Sequence, residues 1–249
     1  MLHILADKNI YKLSSFLPED VNLHFFDPNL PLSSLKDVDA LLIRTVTKLN
    51  KETDAEYLSS LKLLGTGSSG SDPIDRDYFT KNGVHVIDAK GCNAKAVSEY
   101  VITSLFLWSI ERKKILQNLK VGIIGAGATG TSVSHLLEKF DIPFFFYDPP
   151  KESIHAGFKS ASLTDIMNCD ILTFHVPLEQ SGKHPTYHWL DDKILTNNSF
   201  ELVINAARGG VINESHLLDA INNKTVRDTV IDVWENEPDF NPELMEKAF

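Results

Sequence analysis

The sequence is short of cysteine, of long apolar runs and of basic charge. Its two cysteines, Cys92 and Cys169, form no CxxC pair, which argues against a zinc site and is typical of a reducing compartment. No run of about 18 apolar residues is present, so no membrane-spanning helix is expected. The formal net charge of −10 argues against a duplex nucleic-acid binder, which needs clustered lysine and arginine.

The N-terminal segment also lacks the apolar core of a secretion signal, since Asp7 interrupts it. We therefore expect a cytoplasmic protein without a membrane or nucleic-acid partner. The chain has 249 residues, of which 43% are hydrophobic, and this is enough for one large domain or two ordinary ones. An anionic small substrate is compatible with the negative charge if a few basic side chains converge at one site.

Ten short apolar segments alternate with segments of helix length. Several of the apolar segments have no polar alternation, which is typical of parallel strands covered on both faces. Alternation of strand and helix predicts a doubly wound α/β fold. The predicted strands are 2–5, 23–26, 40–43, 61–64, 84–87, 121–124, 143–147, 171–174, 202–204 and 226–233.

The longest predicted helix runs from about Ala96 to Ile115 and separates the first five strands from the last five. We expect a domain boundary near residue 95, with one domain over residues 1–95 and a second over residues 96–249. The predicted fold class is α/β, with two Rossmann-like parallel-sheet domains.

A glycine-rich segment, GAGATG at residues 125–130, follows the predicted strand 121–124 and opens a predicted helix. In this context Gly125 permits a tight turn, Gly127 the close approach of a pyrophosphate, and Gly130 close helix–strand packing. The backbone N–H groups at the helix start would then face the phosphates. An ordinary glycine-rich turn is the alternative, but the strand–turn–helix context favours a dinucleotide site.

A carboxylate follows at the end of the next predicted strand. Asp148 lies near the spacing of about 20 residues at which an acidic side chain meets the ribose hydroxyls of a dinucleotide. A carboxylate would repel a 2′-phosphate, and no arginine follows Asp148. The sequence therefore predicts NAD rather than NADP as the cofactor.

The later strand ends carry further polar residues toward the same predicted sheet edge. The strand INAA delivers Arg208, and Gly209 and Gly210 leave room for a ligand beside it. A guanidinium there can hold a carboxylate through two parallel hydrogen bonds, although a lone arginine is more often solvated surface. We interpret His175 as a structural residue: the HxP segment at this strand end fixes the loop, while the backbone of His175 touches the nicotinamide ribose.

Four motifs together resemble those of the D-isomer-specific 2-hydroxyacid dehydrogenases. They are VGIIGAGATG (121–130), FHVPL (174–178), INAARGG (204–210) and DVWENEP (232–238). Three further segments are most similar to the branch of this family that oxidises a phosphorylated sugar acid. These are LIRTVTKLN (42–50), KGCNAKAVSEYV (90–101) and LTFHVPLEQSGKHPTYH (172–188). The likeness runs over nearly the whole chain.

The resemblance implies a flavodoxin-like substrate or lid domain at 1–95 and an NAD-binding Rossmann domain at 96–249. Arg208 matches the catalytic arginine that grips the substrate's carboxylate and 2-oxygen. Glu237 matches the acid that hydrogen-bonds a catalytic histidine, and Thr45 and Thr66 match substrate-contacting positions. No metal is implied. The implied NAD-contacting residues are Gly125, Gly127, Ala128, Thr129, Gly130, Asp148, Val176, Ala206, Ala207, Arg208 and Asp232.

The implied reaction is the NAD-dependent oxidation of a small anionic, phosphorylated 2-hydroxy acid to a 2-oxo acid, carried out by a homodimer. Two alternatives remain open. One is a different D-2-hydroxy acid, such as 3-phosphoglycerate, since both acids carry a phosphate. The other is a non-catalytic NAD-binding module, because some relatives serve as transcriptional corepressors that sense dinucleotide.

The sequence departs from the family pattern near its end. The family's catalytic histidine follows the position of Glu237 by about one strand, whereas all nine histidines here precede Glu237. We therefore expect a chain that lacks the C-terminal end of the Rossmann domain and the dimerisation region. We also expect little dehydrogenase activity from these 249 residues.

Overall fold

A computed structural model describes residues 1–29, 37–44, 47–52, 60–70 and 74–249. The chain divides into two compact units, Met1–Cys92 and Asn93–Phe249. Each unit contains a five-stranded sheet, and all paired strands in both sheets are parallel. Each of the ten predicted strands is present. The prediction of an α/β fold with two Rossmann-like parallel sheets is therefore confirmed.

The first unit has the strands β1 (Leu2–Asp7), β2 (Val21–Phe26), β3 (Ala40–Ile43), β4 (Leu63–Thr66) and β5 (His85–Asp88). They lie in the order β2-β1-β3-β4-β5. Its described α-helix is α1 (Arg76–Lys81), and a 3₁₀ turn covers Leu13–Phe16. Leu41, Ile43, Leu64 and Phe79 are almost wholly buried between sheet and helix layers, so this unit has a hydrophobic core of its own.

The second unit has the strands β6 (Val121–Ile124), β7 (Phe144–Tyr147), β8 (Ile171–Phe174), β9 (Phe200–Asn205) and β10 (Val226–Ile231). Its α-helices are α2 (Ala94–Glu111), α3 (Ala128–Lys139), α4 (Pro149–Ile154), α5 (Leu163–Met167), α6 (Asp192–Asn197), α7 (Glu214–Asn222) and α8 (Pro242–Lys247). Every residue of β6 and β8 is buried. The helices therefore cover both faces of the sheet, as the uniformly apolar runs predict.

The strand order β10-β9-β8-β6-β7 places a topological switch at β6. The chain leaves β6 to form β7 on one side and then crosses to form β8 on the other. In open α/β sheets a crevice forms at such a point, beyond the carboxyl ends of the strands, and ligands bind there. A ligand site is therefore expected among the residues that follow β6, β7, β8, β9 and β10.

The long helix predicted over residues 96–115 differs from the structure at both ends. Helix α2 begins at Ala94 and ends at Glu111. The helix stops because Lys113 adopts a left-handed conformation with φ of 53°, a common way for a helix to end. A short 3₁₀ turn, Leu116–Asn118, then leads into β6.

The C-terminal part of α2 is fixed to the sheet by the buried carboxylate of Asp228 on β10. This carboxylate accepts hydrogen bonds from Trp108 Nε1 at 2.8 Å, from Arg112 Nε at 2.8 Å and from Arg112 NH2 at 2.8 Å. Burial by itself raises the pKa of Asp228, but the hydrogen bonds from Arg112 and Trp108 and the charge of Arg112 outweigh it, so the pKa is lowered. The charged form of Asp228 therefore stabilises the folded domain.

Replacement of this carboxylate should destabilise the second unit. Asp228→Asn removes the carboxylate that Arg112 Nε and NH2 contact and leaves Arg112 paired with Glu111; we expect the free energy of unfolding at pH 7 to fall by about 2–4 kcal/mol. The exposed Asp219 on α7 supplies the control, since Asp219→Asn should change stability by less than about 0.5 kcal/mol. Urea denaturation followed by circular dichroism measures both values.

The same pair of variants gives a pH dependence with a defined sign. Because the folded-state pKa of Asp228 lies below that of an unfolded aspartate, about 3.9, its contribution is complete above the unfolded value. The contribution is lost as the pH falls through the folded-state pKa. The stability gap between the parent and Asp228→Asn should therefore narrow in acid, and a gap that is unchanged at pH 3 contradicts this assignment.

Candidate functional site

The glycine-rich segment forms a tight turn between β6 and α3. Gly125 has a φ of +98°, and a Cβ there would lie 2.5 Å from the carbonyl oxygen of His175. A Cβ on Gly130 would lie 2.0 Å from the carbonyl oxygen of Gly125. Neither position accepts a side chain, so packing requires glycine at both.

Gly127 lies in open space instead. It is the N-cap of α3, and a Cβ there would meet no described atom within 4 Å. Gly127 and Ala128 line a cavity of about 630 Å³, and Thr129 is the second residue of the same helix. The N-terminus of a helix favours an anion. The open space above Gly127 therefore fits the pyrophosphate of NAD.

Asp148 lines the same cavity and is held there by two backbone amides. Its Oδ2 accepts from Ala126 N at 2.8 Å, and its Oδ1 accepts from Lys151 N at 2.9 Å. The second contact caps α4. Each carboxylate oxygen keeps acceptor capacity beyond these bonds, so Asp148 can accept from the two hydroxyls of a ribose.

The sequence-based prediction missed a cation beside Asp148. Lys151, on the first turn of α4, lines the cavity, its Nζ donates to the carbonyl oxygen of Ala126 at 2.5 Å, and it lies over the ring of Phe158. Lys151 escaped the prediction because only an arginine was considered after Asp148. In a helix that starts at Pro149, however, the side chain of Lys151 lies back toward the glycine turn. His155 also lines this cavity.

His175 and Val176 follow β8 and lie against the glycine turn. The backbone N of His175 donates to Ile124 O at 2.8 Å, and its ring Nε2 lies 2.9 Å from Thr173 Oγ1. Burial lowers the pKa of His175 to about 4, so the imidazole is neutral at pH 7. A Cβ on Gly125 would lie 2.8 Å from Val176 Cγ1. These contacts suit the structural role that we predicted for His175.

Arg208 lies in a turn that follows β9 and is organised by Asn205. The Asn205 side chain accepts from Ala207 N at 3.2 Å and donates to Arg208 O at 3.0 Å. The guanidinium NH1 donates to Ala207 O at 2.7 Å. Ala206 opens this turn directly after β9, so the predicted contact residues 206–208 are presented together at the carboxyl end of the strand.

The acidic segment 232–238 follows β10 at the same sheet edge. The backbone N of Asp232 donates to Asn205 O at 2.9 Å, and Glu237 accepts from Trp234 N at 2.8 Å. Burial raises the pKa of Asp232, and the charge of Glu237 adds to this effect. A Cβ on Gly209 would lie 1.9 Å from Trp234 O. The Arg208 turn and the Glu237 segment are therefore in backbone contact.

The predicted substrate residues belong to the first unit. Thr66 ends β4 and is buried, and its Oγ1 accepts from Ser68 N at 3.2 Å. Thr45 lies outside the described residues. Within the described part of the chain, no group of three or more His, Cys, Asp or Glu side chains is arranged to hold a metal ion. No described helix is long and apolar enough to cross a membrane.

Comparison with known proteins gives a family for the second unit. A profile described as "D-isomer specific 2-hydroxyacid dehydrogenase, NAD binding domain" matches residues 106–247. An erythronate-4-phosphate dehydrogenase from Bacteroides thetaiotaomicron is 40% identical over 216 residues, which are 86% of this chain and 62% of that protein. One from Psychromonas ingrahamii is 35% identical over 248 residues, 98% of this chain and 64% of that protein. The chain thus spans less than two thirds of the length of these relatives.

A solved structure shares the fold. The crystal structure of D-lactate dehydrogenase from Aquifex aeolicus, complexed with NAD and lactic acid, matches with a TM-score of 0.76 at 21% identity. The match covers 98% of this chain and 83% of that one. The two proteins thus have the same architecture, although few of their residues are identical.

The preference for NAD should depend on the charge of Asp148. Asp148→Asn keeps the volume of the side chain but removes the charge, so we expect NAD to bind about tenfold more weakly or worse. NADP should bind more tightly than to the parent, because the repulsion of its 2′-phosphate is removed while Lys151 remains. Glu152→Gln, an exposed acidic residue on α4, is the control. Calorimetry measures all six affinities, and equal affinity of the parent for the two cofactors contradicts the assignment.

Proposed function

The chain belongs to the family of D-isomer-specific 2-hydroxyacid dehydrogenases, and residues 106–247 are its NAD-binding domain; on this premise we propose that the protein oxidises 4-phospho-D-erythronate to the corresponding 2-oxo acid, with NAD as the hydride acceptor. This reaction belongs to pyridoxal 5′-phosphate biosynthesis, and we place the protein there, in the cytoplasm and as a homodimer. We take this substrate from the name of two relatives, the erythronate-4-phosphate dehydrogenases that are 40% and 35% identical to this chain.

One geometric observation supports the proposed function. Gly209 lies against the carbonyl of Trp234, and this contact joins the turn of Arg208 to the segment of Glu237. Both lie at the sheet edge where the glycine turn and Asp148 form the cofactor cavity. A cation for the substrate carboxylate and an acid for a catalytic base are therefore presented beside the dinucleotide site, as a hydroxyacid dehydrogenase requires.

Each residue then has a defined task. Asp148 accepts from the adenosine ribose, and the amides at the start of α3 hold the pyrophosphate. Arg208 holds the carboxylate and the adjacent 2-oxygen of the substrate through its planar fork. Thr45 and Thr66 are proposed as substrate-contacting residues on the family resemblance. When bound, NAD would supply the hydride acceptor, and the protein would orient the substrate and remove the hydroxyl proton.

A second candidate function is a non-catalytic NAD-binding module, which would have the same cofactor site and no turnover. All nine histidines of residues 1–249 precede Glu237, so none of these nine stands at the family position of the base. A dehydrogenase for 3-phosphoglycerate is the remaining alternative, since it needs the same carboxylate anchor and a phosphate contact.

The activity of the 249-residue polypeptide tests these functions against one another. A positioned base contributes about 10²–10⁴-fold to such a step, so we expect little NADH formation from 4-phospho-D-erythronate by this polypeptide. A chimera that adds the C-terminal segment of the Bacteroides thetaiotaomicron relative should recover turnover. Rapid turnover by the 249 residues alone would place the base within them. Faster turnover of 3-phosphoglycerate by the chimera would favour that alternative, and NAD binding without turnover by either protein would favour the module.

The anchoring role of Arg208 has its own test in the chimera. Arg208→Lys keeps the charge but loses the two parallel donors, and we expect kcat/KM to fall by a factor that corresponds to about 2–4 kcal/mol. Arg227→Lys is the control, because Arg227 is an exposed arginine on β10 that pairs with Glu201. If Arg208→Lys performs like this control, Arg208 does not hold the substrate.

A further inference from the structure

His188 connects two segments of the candidate site, although it was not among the predicted site residues. Its backbone N donates to Gly210 O at 2.8 Å, within the turn that carries Arg208. Its ring Nε2 lies 2.5 Å from Glu235 Oε1, within the segment that carries Glu237. The two side chains are 25% and 18% exposed, so the pair is partly withdrawn from solvent.

The surrounding hydrogen bonds fix the tautomer of this imidazole. Asn213 Nδ2 lies 3.2 Å from His188 Nδ1, while Asn213 Oδ1 already accepts from His216 N and from Ser215 Oγ. The amino group of Asn213 therefore faces the ring, and Nδ1 of His188 is an acceptor. It follows that Nε2 carries the proton that Glu235 accepts.

Further contacts hold both partners in place. His188 has a φ of 50°, a conformation that is costly for a residue with a side chain and that persists where surrounding contacts require it. Its ring stacks on Tyr187 with centroids 3.9 Å apart. The backbone N of Glu235 donates to the buried Glu214 Oε1 at 2.7 Å, which ties the 232–238 segment to the start of α7.

We propose that His188 and Glu235 are positioning residues, which clasp the 206–210 turn to the 232–238 segment and so hold Arg208 and Glu237 in register. The inference rests on the proposed function to the extent that these two segments carry its substrate anchor and its acid. The glycine turn lies between β6 and α3, and Asp148 follows β7 as the N-cap of α4, so we expect neither to depend on this clasp. Loss of the clasp should therefore affect the nicotinamide and substrate end of the site and spare the adenosine end.

Two ligands separate these ends. ADP-ribose is NAD without the nicotinamide ring, so it would not make the nicotinamide contacts that we propose for NAD beside the strand ends of β9 and β10. In His188→Ala and Glu235→Ala we expect NAD to bind about tenfold more weakly, and ADP-ribose to bind within about twofold of the parent. His188→Gln retains a donor toward Glu235, and Glu235→Gln retains the acceptor, so both should recover NAD affinity to within about threefold.

His216→Ala is the matched control. His216 is also a hydrogen-bonded histidine of the second unit, but its ring Nδ1 accepts from Asp192 N on α6, away from the clasp. The His216→Ala variant should bind NAD and ADP-ribose as tightly as the parent does. Parent-like NAD affinity in His188→Ala overturns the proposal, and equal weakening of NAD and ADP-ribose overturns it in favour of general destabilisation. Failure of the proposed function would instead appear as absence of phosphoerythronate oxidation by the chimera, with the NAD and ADP-ribose comparison unchanged.

Hydrogen exchange on the ligand-free proteins supplies a second measurement that needs no cofactor. In His188→Ala the backbone amides of residues 206–213 and 232–238 should exchange faster, while those of α3 keep the parent rate. His188→Gln should restore the parent pattern in both segments. Unchanged exchange in both segments, or equally faster exchange in α3, overturns the clasp.

Discussion

Close backbone contacts at the carboxyl edge of the second sheet fix the turns that carry the candidate ligand-binding residues of the second unit. Gly125 lies against the His175 carbonyl, so the turns after β6 and β8 meet without a side chain between them. Gly209 lies against Trp234 in the same way, and this joins the turn after β9 to the segment after β10. Because neither contact leaves room for a Cβ, the four strand ends form one continuous rim. Polar side chains on that rim converge because the backbone beneath them is fixed.

The electrostatics of the rim explain how a chain with a net charge of −10 suits anionic ligands. Lys151 and the amides that begin α3 face the cavity beside Asp148, and Arg208 stands on the neighbouring turn. Acidic groups concentrate on the 232–238 segment, where burial raises the pKa of Asp232. Favourable charge is therefore placed locally, at the cavity and on the neighbouring turn, and charges close to a ligand are screened least by salt. This local charge matters more for an anionic ligand than the overall sign of the molecule.

The family motifs were readable because each depends on local chemistry. The glycines at 125–130, Asp148 after the next strand and the INAARGG turn are recognised from spacing along the chain, and in the structure they follow β6, β7 and β9. Lys151 was missed because its side chain returns to the turn only through the register of α4. His188 and Glu235 were missed for a stronger reason, since their contact joins positions that are 47 residues apart and no local pattern encodes it.

The sequence by itself determined the two parallel sheets, the glycine turn and the identity of the strand-end residues. Hydrophobic periodicity and short motifs are properties of neighbouring residues, so they need no knowledge of the fold. Only the tertiary structure decided which distant segments touch. Gly209 lies against Trp234, Arg112 and Trp108 contact Asp228, and His188 contacts Glu235. Each of these contacts depends on the order in which the strands pair, β10-β9-β8-β6-β7. That order is set by packing between distant segments, which burial and hydrogen bonding select only when the whole domain is assembled.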